Sequence, residues 1–144
     1  MKVTIQGLDE LQRQFKKLED ATAGEILESA GKAGMKIIQD DAVHRAPGRR
    51  QIKENIHGET TLKQGRKVEM GIGVKKKGFM WIFFEKGTKP RYQKRWKGTP
   101  LATPRYVGRI KKKPFFRPAF DENLDRVKSA ISEVIRAGVE RVAK

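Results

Sequence analysis

The chain contains no cysteine among its 144 residues. Disulfide bonds and thiolate zinc sites are therefore excluded. It has only two histidines, His44 and His57. Asp40 lies four residues before His44 at helical spacing, which suits a weak helical pair, but no further ligands accompany it, so neither a metal site nor an acid–base site is expected. Apolar runs are short. None approaches the roughly 20 residues that span a bilayer, and Lys2 is not followed by the apolar stretch of a secretory leader. The expectation is a soluble chain made in the cytoplasm, with no membrane association. A phosphate-cradling glycine loop, a nucleophile elbow and paired carboxylates are all lacking. The chain is expected to be no enzyme and to use no cofactor.

What is abundant is positive charge. Thirty-three Lys and Arg face seventeen Asp and Glu, a formal net charge of +16. Such a chain repels itself and attracts polyanions, nucleic acid first among them, although acidic protein surfaces also fit. At this length one domain, residues 1–144, with its own core is expected.

Hydrophobic periodicity gives the order of elements. Val3 and Ile5 alternate as in a short strand. Leu8, Leu11, Phe15 and Leu18 recur at helical spacing after Gly7. Thr22 and Glu25 have the spacing of a capping box. A long helix is predicted from there to about Arg45, with a stripe of Ile26, Leu27, Ala30, Ala33, Gly34, Ile37, Ile38 and Ala42. Its many small residues predict close packing of another element. Ala46-Pro47-Gly48 ends it, and Arg49 and Arg50 begin a basic loop. Three antiparallel strands are predicted next, Ile56–Leu62, Val68–Val74 and Phe79–Phe84. The turns between them lie at Gln64 to Arg66 and at the Lys75 to Gly78 run. A last helix is predicted from about Asp121, as N-cap, to Val142, with Leu124, Val127, Ile131, Val134, Ile135 and Val142 as its stripe. The predicted class is α+β: a small antiparallel sheet packed on a long helix and a C-terminal helix.

Residues 86–113 fit none of these patterns and predict a long loop or extended hairpin. Lys86, Lys89, Arg91, Lys94, Arg95, Lys97, Arg105, Arg109, Lys111, Lys112 and Lys113 lie there. Tyr92, Trp96 and Tyr106 are interleaved, and no acidic residue occurs from Lys86 through Arg117. Segments of this length in a small domain are usually functional or disordered. Several readings stay open: the segment faces duplex DNA without reading its sequence, it docks on an acidic partner surface, it orders only on assembly, or it is a plain solvated loop.

Three separated stretches resemble one family in order. They are Val3 to Glu19, the run Phe79 to Thr88 ending in Glu85-Lys-Gly87-Thr88, and Lys113 to Val127 with its Pro114-Phe115-Phe116-Arg117-Pro118-Ala119. Together they resemble the gene-product-ten-like family of phage Hong Kong 97, tail components or neck proteins of long-tailed phages. In that family an aromatic strand ends in Glu-x-Gly-Thr, and a Pro-Phe-x-Arg-Pro-Ala segment opens the last helix. Two features depart from it. The Thr-Gly-x-Leu-Arg stretch usual after Ala-Pro is replaced by Gly48 to Ile56, and the spacer carrying the charge is long.

The resemblance implies a structural virion protein of the neck, head–tail connector or tail-completion ring. Such a protein is made in the bacterial host and forms an oligomeric ring, hexamer or dodecamer, around the DNA channel. Its implied partners are copies of itself, adjacent connector, head-closure and tail proteins, and the passing double-stranded DNA. From the residues themselves, Glu85 can accept from backbone amides or pair with Arg117. Gly87 permits a tight turn, Pro114 and Pro118 hold the chain extended into the helix, and Phe115 or Phe116 should be buried, in the protomer's own core or in a neighbour's. A freely acting, nonspecific nucleic-acid-binding protein is the alternative function.

Overall fold

The stripe of small residues is the key to the architecture. In the computed structural model, which describes residues 13, 15, 16, 18–48, 50–75 and 79–144, α1 spans Asp20–Arg45 and buries Ala23, Gly24, Ile26, Ala30, Gly34, Ile38 and Ala42. From Ala30 the buried positions recur every four residues, so one narrow face carries the contact. That face receives the C-terminal helix, α4 (Phe116–Ala143). A side chain added at Gly34 would stand 3.0 Å from Val127 and Ile131, and one at Gly138 would stand 2.9 Å from Ile26. With Arg45 paired to Glu122 at the other end, the two helices run antiparallel.

Between them lie short α2 (Arg50–Lys53), strands β1 (Ile56–Gln64) and β2 (Lys67–Val74), short α3 (Trp81–Lys86), and strands β3 (Arg91–Trp96) and β4 (Thr99–Gly108). The strands form two separate antiparallel hairpins, β1–β2 and β3–β4. The first runs from Ile56 opposite Val74 to Gln64 opposite Lys67, with a bulge between Thr60 and Leu62. It packs on α1. One cluster of buried residues joins Ile38, Ala42, Ile52, Ile56, Phe115, Ala119 and Val127. A second, farther along the helix pair, joins Ile26, Ala30, Ile135 and Val139.

The α+β class is observed, and several local expectations are corrected. Phe79–Phe84 is not a third strand: α3 occupies most of it. Six apolar residues carry too little period to tell strand from helix, and tertiary contacts decide. Trp81, Phe84 and Glu85, spaced three and four apart, turn inward, while Ile82 and Phe83 face out. The Thr22–Glu25 capping box does not form. Helix α1 starts earlier, after Glu19, with no side-chain cap. Instead the Arg66 guanidinium, on the β1–β2 turn, ties down that entry, binding Asp20 Oδ1 at 2.7 Å and the carbonyls of Lys16 at 3.0 Å and Leu18 at 2.5 Å.

Asp121 is not the N-cap of the last helix, which begins five residues sooner with Pro118 in its first turn. Val142 is exposed rather than part of the stripe. Arg13, Phe15 and Lys16 are helical, in keeping with the predicted first helix. The predicted strand at Val3 and Ile5, and Leu8, Leu11, Arg49, Lys76 and Lys77, lie outside the described residues.

Candidate functional site: the basic arm and its root

Within residues 86–113 an extended hairpin forms over 91–108, built of β3 and β4, while Lys86 closes α3 and the stretches 87–90 and 109–113 are irregular. The hairpin's two-residue turn, Lys97-Gly98, has both residues left-handed, with φ of 46° and 87°. That conformation matches the twist of paired strands, and glycine supplies it without strain. Tyr92 pairs with Tyr106 across the ladder, and their rings lie 5.6 Å apart. The ladder shifts register between Arg91 and Tyr92 and again between Gln93 and Arg95, and Trp96 pairs with Thr99 beside the turn. All three aromatics remain more than half exposed. The closest packing of β3 and β4 is with each other, and their contact with the helices is slight. The hairpin is an arm that projects from the body.

The arm's charges are segregated. Lys86, Lys89, Arg91, Lys94, Arg95, Lys97, Arg105, Arg109, Lys111, Lys112 and Lys113 are all exposed. Among the described residues none of them pairs with a carboxylate. The body behaves differently. Lys32 and Lys63 both bind Glu28, Arg45 binds Asp41 and Glu122, Arg50 binds Glu54, Arg66 binds Asp20 and Lys67 binds Glu69. The contact with Lys32, then that with Lys63, lowers the Glu28 carboxyl from 4.5 to about 2. Hydrogen bonds from Arg45 to Glu122 and Asp41, and from Lys63 to Glu28, raise those two cations.

The root of the arm is where the Glu85-Lys-Gly-Thr88 and Pro114–Pro118 stretches meet. The Glu85 carboxylate accepts the amide N–H of Phe115 at 2.9 Å, of Phe116 at 3.3 Å and of Arg117 at 3.3 Å. These are amides with no acceptor inside helix α4, at its positive end, so a carboxylate there is doubly favoured. Glu85 thus takes backbone amides, and the Arg117 guanidinium lies 3.9 Å from Asp121 instead. Thr88 closes the hairpin base twice: its N–H donates to the Ile110 carbonyl at 2.9 Å, and its Oγ1 accepts the Ile110 N–H at 2.8 Å. Lys113 N–H donates to the Phe84 carbonyl at 2.6 Å. Gly87 is required here. Its φ is 76°, and a side chain would meet the Lys112 backbone nitrogen at 3.1 Å. Phe115 is fully buried in the protomer's own core, Phe116 is half-buried edge-on to Trp81 at 5.2 Å, and Pro114 is exposed.

Three features were not foreseen from the sequence. One is the Arg66 clamp. Another is Asn123, buried between the Ala119 carbonyl at 2.9 Å and Asp41 at 2.6 Å. The third is an apolar groove of about 490 Å³ between α1, β2, α3 and α4, walled by Met35, Met70, Trp81, Phe116 and Phe120. No periodicity in one segment reports such contacts, because each joins residues far apart in the chain. His44 is exposed. His57 lies with Nδ1 3.2 Å from the Asn55 carbonyl oxygen. Among the described residues no group of side chains is arranged to hold a metal ion, and no helix is long and apolar enough to cross a membrane.

No curated protein and no solved structure matches the chain. A family model does match, over residues 9–87, more than half of its length. Its description is "Bacteriophage HK97-gp10, putative tail-component". The match runs through Glu85 and ends at Gly87, so most of the arm and all of α4 lie beyond it. On that match, carried through the helix–hairpin–helix order that leads into the arm's root, the chain belongs to the HK97-gp10-like family of bacteriophage proteins.

Proposed function

We propose that this chain is a structural protein of the phage virion, a neck or tail-completion component that assembles into a ring joining head and tail around the DNA channel. One observation carries the reading beyond the family. Eleven cations on and beside the projecting hairpin stand exposed, and among the described residues none of them pairs with a carboxylate, while the body pairs much of its charge internally. The +16 chain gains most from a polyanion, and duplex DNA passing through a ring meets this arm as phosphate backbone, with no need for base contacts. Residues 1–144 act as one unit in this role, with no catalytic step of their own.

In the ring, a hexamer before a dodecamer, the arm's Lys and Arg side chains line the channel or its rim. Glu85, Gly87, Thr88 and the Pro114–Pro118 segment fix the angle at which the arm leaves the body. The neighbours along the particle axis are connector, head-closure and tail proteins, joined after synthesis in the host cytoplasm.

Electron microscopy of particles, with and without the gene for this chain, tests the reading. The expected result is density for a ring at the head–tail junction, and heads without attached tails in its absence. Infectious particles with normally attached tails in the deletion overturn it. The same arm also supports a second reading, a free nonspecific nucleic-acid-binding protein. Monomers that bind duplex tightly and are absent from particles would favour that one.

A further inference from the structure

We infer that the hollow at the root of the arm is a seat for a phosphate group. This deepens the reading of the arm as a surface for a polyanion, and rests on that reading in taking the DNA backbone as the expected source of the group. The hollow measures about 290 Å³. Residues Lys86 to Thr88 line one side and Arg109 to Lys112 the other. Four of these residues are cations, Lys86, Arg109, Lys111 and Lys112, and none is acidic.

The fold gathers them. The clasp between Thr88 and Ile110 sets the two stretches, far apart in sequence, side by side. Gly87 permits the close approach, since a side chain there would stand 3.1 Å from the Lys112 nitrogen and 3.2 Å from its Cβ. Like charges brought together this way repel. Among the described residues no carboxylate pairs with any of the four. Glu85 adjoins Lys86 in sequence, but its oxygens accept the amides of Phe115, Phe116 and Arg117 instead. A concave surface of one sign focuses its field and concentrates counter-ions. The chain supplies no anion here, so the ligand must.

Neutral donors accompany the cations. The Thr88 hydroxyl oxygen accepts the Ile110 N–H at 2.8 Å, and its own hydrogen has no acceptor among the described residues. The amide N–H groups of Lys111 and Lys112 likewise donate to no described residue. Ammonium, guanidinium, hydroxyl and amide donors together are the set that takes phosphate oxygens. Four cations exceed what one carboxylate neutralises, whereas successive phosphates of a strand answer them. A water's share of liquid volume is ~30 Å³, so the hollow holds about ten waters. That is room for a phosphate group that keeps part of its hydration. A group seated there bridges both sides of the clasp and steadies the base of the arm.

Amide shifts of the nitrogen-15-labelled full chain test this, at ~0.15 M ionic strength, where the Debye length of about 8 Å blunts distant charge. Pyrophosphate is the small probe and a short random DNA duplex the large one. Pyrophosphate is expected to move the Thr88, Lys111 and Lys112 amides saturably. Lys111→Gln with Lys112→Gln, and separately Lys86→Gln with Arg109→Gln, should each weaken it at least ten-fold. A control with the same loss of charge near the arm's tip, Lys94→Gln with Arg95→Gln, should stay within two-fold of wild type. The same spectra report whether each variant is folded. Equal weakening by root and tip variants, or shifts that spread over the basic surface without saturating, overturn the seat. Duplex that moves the same root amides, and is displaced from them by pyrophosphate, assigns the phosphate to the DNA backbone. A duplex that leaves them unmoved while pyrophosphate saturates them supports the seat and assigns it to a free phosphate-bearing solute. Loss of the seat leaves the arm's other cations for duplex, and the neck role stands or falls on the particle images.

Discussion

Glu85 and Phe115 are thirty residues apart in sequence, yet the Glu85 carboxylate holds the Phe115 amide at 2.9 Å and reaches the next two amides as well. It is the N-terminal cap that helix α4 does not find in its own sequence. Glu85→Ala is expected to cost about 2 kcal/mol and Glu85→Gln about 1 kcal/mol. For a chain of this size each kcal/mol lowers the melting temperature by roughly 3–5 °C. Thermal melts followed by circular dichroism measure it, and melts identical to wild type would remove Glu85 from this role.

Phe115, which those hydrogen bonds position, is fully buried against Ile52, Ala119 and their neighbours. Phe115→Ala is expected to cost about 3–5 kcal/mol. Urea denaturation reads it as a lower midpoint. A loss under 1 kcal/mol would mean that the ring is not a core anchor.

Two glycines of α1 are expected to behave oppositely. A side chain at Gly24 would stand 2.7 Å from the carbonyl oxygen of Gly65, a backbone atom with no cheap way to retreat. Gly24→Ala should destabilise by about 1–3 kcal/mol despite its better helix propensity. At Gly31 the obstacle is the Met70 Sδ at 2.6 Å, on a flexible chain that can swing aside. Gly31→Ala should fall within about 1 kcal/mol of wild type. Urea midpoints of the two variants, measured together, check the contrast.

The Glu28 carboxyl, held at about 2 by Lys32 and Lys63, ties α1 to β1. Its folded value lies below its unfolded one. Its contribution to stability is therefore complete above about pH 4.5 and lost as pH falls toward 2. Glu28→Gln should flatten the acid limb of the stability curve in that window and leave its slope near neutrality unchanged. Urea midpoints at half-unit pH steps test this, and parallel curves for both proteins would contradict it.

If the arm meets duplex, replacing Arg91, Arg95 and Arg105 by alanine together should weaken binding to a random 30-base-pair DNA without changing its indifference to sequence. The slope of log affinity against log salt should become shallower by about 2–3. Fluorescence anisotropy across a salt series decides. An unchanged slope would place the phosphate contacts elsewhere.

Long helices were the most legible elements. Ile26, Ala30, Gly34, Ile38 and Ala42 announce both α1 and the closeness of its partner, because small residues at helical spacing have little other use. Strand β2 was legible from the alternation of Val68, Met70, Ile72 and Val74. The arm gave less. Both of its faces are wet, so no alternation marks its strands, and only its charge and its lack of acids stood out. Helix α3 was read as a strand because six apolar residues look alike in either form. The Asp121 cap failed because the acceptor for the first amides of α4 is the remote Glu85. The start of α1 has no side-chain cap, and the remote Arg66 binds Asp20 and the carbonyls before it instead. Local spacing carries no record of either residue. At the candidate site the residues were legible, but their division into an arm and a root was not.

Thr88 clasps Ile110 while Glu85, three residues away, grips the start of the C-terminal helix. The projecting strands and the long helix pair therefore share a hinge pin. A load that tilts the arm, whether from a docking neighbour or from sliding DNA, meets the first turn of the C-terminal helix, where Phe115 is buried in the core. The protein is built less like a bead with a loose tassel than like a lever set in a stiff handle.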